Sequence, residues 1–85
     1  MQLQKLKILA EAEAVQRVEA MPDGNGWTVQ ITYATRQGEQ REVLERQRGG
    51  ARVFATLDAV ARCLAGLGLT GFQVNITGLT GEASP

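Results

Sequence analysis

Residues 41–76 read REVLERQRGG ARVFATLDAV ARCLAGLGLT GFQVNI, and their order decides the fold. They spell strand, double-glycine turn, a return to the interior, amphipathic helix, abrupt stop and strand. From Arg41 to Arg48, Val43 and Leu44 sit among charges, the pattern of a strand lying exposed or at a sheet edge. Gly49-Gly50 accepts positive φ at little cost, so the chain reverses there. Val53 and Phe54 then return it to the core. Thr56 is the expected N-cap, with Asp58 in the first turn facing the positive end of the helix dipole. Leu57, Val60, Ala61 and Leu64 fall at i, i+3, i+4 and i+7, one apolar stripe. Gly68 is the expected residue just past the helix end, with Leu69 packing back on Leu64. Phe72, Val74 and Ile76 alternate with Gln73, Asn75 and Thr77, which predicts a last strand.

Upstream, Leu3, Leu6, Leu9 and Ala10 are spaced for an amphipathic helix over residues 2–14. Residues 15–21 admit two readings, a continued helix or a strand. The turn chemistry of Pro22-Asp23-Gly24-Asn25-Gly26 favours the strand, because it closes a hairpin with the segment from Trp27 to Tyr33. There Trp27, Val29, Ile31 and Tyr33 alternate with Thr28, Gln30 and Thr32, apolar on one face and polar on the other. Arg36-Gln37-Gly38-Glu39 reads as a polar turn. The fold class that results is α+β: two layers, a three- to four-stranded, mostly antiparallel sheet with one or two helices on one face. The expected core is Trp27, Val29, Ile31, Tyr33, Phe72, Val74, Ile76 and the Leu57/Leu64 stripe. Residues 1–77 are expected to form a single domain, and 78–85 a flexible C-terminal tail.

Composition bounds the function. A chain of 85 residues without a repeat is one domain, foldable but marginal alone, so a modest stability, or one completed by self-association, is expected. Nine basic and nine acidic residues cancel, which leaves no long-range field to draw the whole molecule to nucleic acid or an anionic membrane. Histidine is absent, which removes the usual acid–base group near neutral pH and the commonest zinc ligand. The single cysteine, Cys63, cannot form an internal disulfide, and no His stands by as its activating partner. Neither a leader nor a membrane span is indicated, so a cytoplasmic protein is expected.

Three signals invite a sharper reading. Gly66-Leu67-Gly68-Leu69-Thr70-Gly71 matches G-x-G-x-x-G, but a dinucleotide site needs strand before and helix after. Here the helix comes first, so phosphate would meet the negative end of the dipole. Glu42 and Glu45 suggest an acid–base pair, yet on an arginine-laced strand they read as surface ion pairs of small worth. Residues 36–52 hold five arginines against three glutamates, a net of +2, and the plainest reading is a solvated, salt-bridged hairpin. A segregated face carrying Arg41, Arg46, Arg48 and Arg52 is the one candidate contact surface. No enzyme, cofactor, metal or small-molecule substrate is expected. A protein partner or a homo-oligomer is expected instead, with nucleic acid as the alternative through Arg46, Arg48 and Arg52.

The phrases Gln47-Arg48-Gly49-Gly50, Arg52-Val53-Phe54, Thr56-Leu57-Asp58-Ala59-Val60, Leu67-Gly68-Leu69 and Phe72-Gln73-Val74 carry a family likeness. With Gly26-Trp27 entering a strand, they resemble the small ParC-family partition-associated proteins of plasmids and integrative elements. These are distinct from the topoisomerase subunit of the same label. The resemblance spans about residues 2–77. It implies a setting, the maintenance or regulation of a mobile element, and brings no catalytic residue with it.

Overall fold

The computed structural model describes residues 1–77, so the expected tail at 78–85 lies outside the described residues. The elements run in the order α1 (Leu3–Glu11), β1 (Val15–Asp23), β2 (Gly26–Thr35), β3 (Gly38–Val43), α2 (Leu57–Ala65) and β4 (Gln73–Val74). The sheet order is β3-β2-β1-β4, antiparallel except for the β1–β4 pair, which is parallel. This is the α+β fold expected, and residues 15–21 are strand.

The β1–β2 hairpin closes on a two-residue loop, with Asp23 opposite Gly26 and Gly24 at φ +62°. Positive φ at the first loop residue matches the right-handed twist of the flanking strands. Register puts Val18 opposite Ile31 and Ala20 opposite Val29, so one face of both strands is apolar. Leu6 of α1 and Val60 and Leu64 of α2 are buried with these residues, together with Tyr33, Leu44 and Phe54. Both helices therefore serve the same face of the sheet. On the other face Thr28 and Thr32 are also buried, although neither is apolar. By register Thr32 lies between Arg17 and Arg41, and Thr28 lies opposite Met21. The long stems of such neighbours shield short side chains between them.

Helix α2 begins as expected: the backbone N–H of Ala59 donates to Oγ1 of Thr56 at 3.1 Å. It also stops as expected. The N–H of Leu69 donates to the carbonyl of Leu64, and that of Gly68 to Ala65, both at 3.0 Å. With Gly68 at φ +84°, this pair of bonds is a Schellman stop. Helix α1, expected over residues 2–14, stops at Glu11, in the same way but without glycine. Ala14 donates to Leu9 at 2.9 Å and Glu13 to Ala10 at 3.1 Å, with Glu13 itself held at φ +57°.

Three expectations fail. The strand expected over residues 41–48 runs instead from Gly38 to Val43, so Gly38 and Glu39 belong to β3 rather than to the preceding turn. The place that a longer β3 would take beside the start of β2 is filled by Phe54, which pairs with Trp27. The two residues exchange backbone bonds of 2.8 and 2.7 Å. Gly26 allows that approach, since a Cβ there would lie 2.6 Å from the Phe54 carbonyl oxygen. Of the two residues expected to re-enter the core, only Phe54 does, while Val53 stays exposed. Finally, the six-residue last strand shrinks to Gln73–Val74, and Val74 and Ile76 are 44 % and 58 % exposed rather than buried. Trp27, Leu57 and Phe72 are half-buried against the core.

Candidate interaction cleft

Strand alternation separates the charges of β3. Arg41 lies opposite Thr32, on the sheet face away from the helices, whereas Glu42 lies opposite Ile31, on the face that carries them. Glu42 consequently meets α1. Its carboxylate accepts from Nζ of Lys5 at 2.9 Å and from the hydroxyl of Tyr33, and lies 3.3 Å from the amino group of Met1. That amino group also donates to the Val43 carbonyl at 2.8 Å and sits 3.5 Å from Glu45. Lys5 completes the cluster, with Nζ 3.1 Å from the Tyr33 hydroxyl. The Tyr33 hydrogen bond foremost, then that of Lys5, lowers the Glu42 carboxyl from its ordinary value to about 2. The hydrogen bond to Tyr33 first, then that to Glu42, raises the Lys5 ammonium.

The salt-bridged hairpin expected for residues 36–52 does not form. Glu42 and Glu45 are taken by the Met1 amino group and Lys5, and among the described residues no arginine has a carboxylate within ion-pair distance. Among the described residues the arginines are thus left without a countercharge. Arg46 is fixed by its own loop: its N–H donates to the Gly50 carbonyl at 2.9 Å, and its Nε to that of Gly49 at 3.3 Å. Gly49 and Gly50, at φ +93° and +78°, allow this tight reversal as expected. The guanidinium of Arg52 stacks over the Phe54 ring, 4.7 Å from its centroid, a favourable cation–π placement.

A cleft of about 690 Å³ opens between the start of α1 and this loop. Lys7, Arg46 and Arg52 line it, beside Leu3 and Leu67, with Glu45 its acidic member. Gln2 bridges the two walls, its side-chain amide donating to the Gln47 carbonyl at 3.0 Å. Of the four arginines singled out in the sequence, two reach this cleft. Arg41 is on the far face of the sheet, and Arg48 is exposed on the loop without lining it. Lys7, the third cation, escaped sequence reasoning. Nothing local ties a lysine on the first helix to a loop that comes after the third strand.

The other sequence signals stay structural. Gly66–Gly71 leads from α2 toward β4, helix before strand, the wrong order for a phosphate loop. Cys63 is half-buried on α2. Among the described residues no group of His, Cys, Asp and Glu is arranged to hold a metal, and no helix is long and apolar enough to cross a membrane.

Against this geometry, the profile of the ParC-like family matches residues 1–81, nearly the whole chain. The chain belongs to the ParC-like family. The resemblance noted over about residues 2–77 is thereby confirmed. No curated protein and no solved structure matches the chain. For this ParC-like chain, what the surface can do must therefore be read from its own residues.

Proposed function

We propose that the protein is a non-catalytic accessory factor in the maintenance or partition of a mobile element, and that it works by docking an acidic segment of another protein. Membership in the ParC-like family supports the setting. One observation carries the mechanism: Lys7, Arg46 and Arg52 line one cleft next to apolar Leu3 and Leu67. Among the described residues none of the three has a carboxylate within ion-pair distance, the cleft's own Glu45 lying instead 3.5 Å from the Met1 amino group. Guanidinium groups fit carboxylates bidentately, and apolar walls between them reward a peptide that alternates acid and hydrophobe. The three cations converge on a recess instead of spreading along a ridge. A nucleic-acid backbone needs an extended row of phosphate contacts, which a neutral chain with Arg41 and Arg48 pointing elsewhere provides poorly.

Fluorescence anisotropy of a labelled peptide of alternating glutamate and leucine, titrated with the full chain, tests this reading. Binding is expected to weaken at least tenfold in the R46E/R52E variant, a change of about 1.4 kcal/mol. The second reading, a nucleic-acid regulator, rests on the uncompensated Arg46, Arg48 and Arg52. It gains the ground if a DNA duplex binds more tightly than the peptide and is released steeply between about 50 and 200 mM salt.

A further inference from the structure

The two edges of the sheet differ in kind. β3, one edge, carries Glu39, Arg41 and Glu42, the charges by which natural proteins keep edges from pairing. β4, at the other edge, is bare: no charged residue occurs from Cys63 to Thr77. Within that run Phe72, Val74 and Ile76 alternate with Gln73, Asn75 and Thr77, a six-residue pattern with one apolar face. Only Gln73 and Val74 pair with β1, and Val74 and Ile76 stand exposed. The alternation is that of a strand with one covered face, and among the described residues it is paired over only two residues, on one side.

Backbone direction sharpens this. The N–H of Asn75 donates to the Ala20 carbonyl at 2.9 Å, so Asn75 faces β1. Along a strand successive residues turn their N–H and C=O to opposite sides. Val74, between Gln73 and Asn75, therefore turns its N–H and C=O outward, and Phe72 and Ile76 would do the same once the strand extends over them. Beside this edge a groove of about 530 Å³ runs along α2, lined by Ala61, Leu64, Ala65, Leu69 and Phe72.

We propose that β4 pairs antiparallel with β4 of a second copy of this chain, across a two-fold axis, joining two four-stranded sheets into one of eight strands. Centring the pairing on Val74 sets Phe72 of each copy opposite Ile76 of the other, and Val74 opposite itself. All three are then hydrogen-bonded pairs with their apolar side chains on one face. A two-fold contact needs such self-complementarity, and this segment has it. The α2 helices of the two copies run in opposite directions on that face. Asp58 and Arg62, both exposed and four residues apart on α2, thus offer complementary charge across the axis. The dimer is independent of the basic cleft, which involves other elements.

Sedimentation equilibrium of the full chain at tens of micromolar should give twice the 9.2 kDa chain mass. The Val74→Lys/Ile76→Lys variant should sediment at the single-chain mass with its circular dichroism unchanged. Should that variant unfold, hydrogen exchange of the native chain decides: the Val74 amide, which faces away from β1, is expected to be protected at high concentration and to lose protection on dilution. A native monomer overturns the proposal. So does a dimer in which the Val74 amide exchanges freely.

Discussion

Glu42 shows how much one residue's face determines. Alternation along β3 turns it toward α1, where Tyr33, Lys5 and the Met1 amino group converge on a single carboxylate. Its pKa in the folded chain, about 2, lies below the 4.5 of the free side chain. The ionised form is therefore favoured by folding, and its contribution is fully present above pH 4.5 and lost as pH falls from there toward 2. A third of the side chain is open to water, so screening reduces the contribution to about 1 kcal/mol. Urea unfolding of Glu42→Gln should show that loss near pH 7 and a flatter dependence of stability on pH between 4.5 and 2. An unchanged acid limb would show that the cluster does not stabilise the fold. Because Glu42 is engaged here, it forms no ion pair with the arginines that neighbour it in sequence.

At the scale of elements, local chemistry was readable and competition between elements was not. The start and stop of α2 arise from Thr56 and Gly68, whose effects stay within one helical turn. The hairpin of β1 and β2 arises from turn residues next to clean alternation. The length of β3 depends on something distant: Phe54 takes the position beside Trp27, and Gly26 makes room for it. No pattern within residues 41–48 announces that rival. The cleft was half readable for the same reason, since Arg46 and Arg52 share a loop whereas Lys7 reaches it only through the fold. The stop of α1 was missed because its residue in the left-handed region is Glu13, which has no glycine signature. A side chain in that region costs about 1 kcal/mol or more. Glu13→Gly should accordingly raise stability by about 0.5–1 kcal/mol in thermal or denaturant unfolding. Gly68→Ala, at φ +84° with open space around it, should lower it by about 1 kcal/mol. Opposite signs at two equivalent helix ends would establish both as Schellman stops.

For the molecule as a whole, the interior holds the fold and the surface is divided into regions of different character. The apolar face of the sheet is covered by α1 and α2, one edge is guarded by charge, and the other is bare. Between α1 and the 45–52 loop, cations from distant parts of the chain meet in one recess. If the protein acts through that recess, a ligand should report there and nowhere else. The direct measurement is a titration of isotope-labelled full chain with the glutamate–leucine peptide, tracking backbone amide shifts residue by residue. The largest changes should fall at residues 2–7, 45–52 and 67, with β4 and the far face of the sheet unmoved. Shifts centred on Arg41 and the far face, or spread evenly over the surface, would contradict a docking role for the cleft.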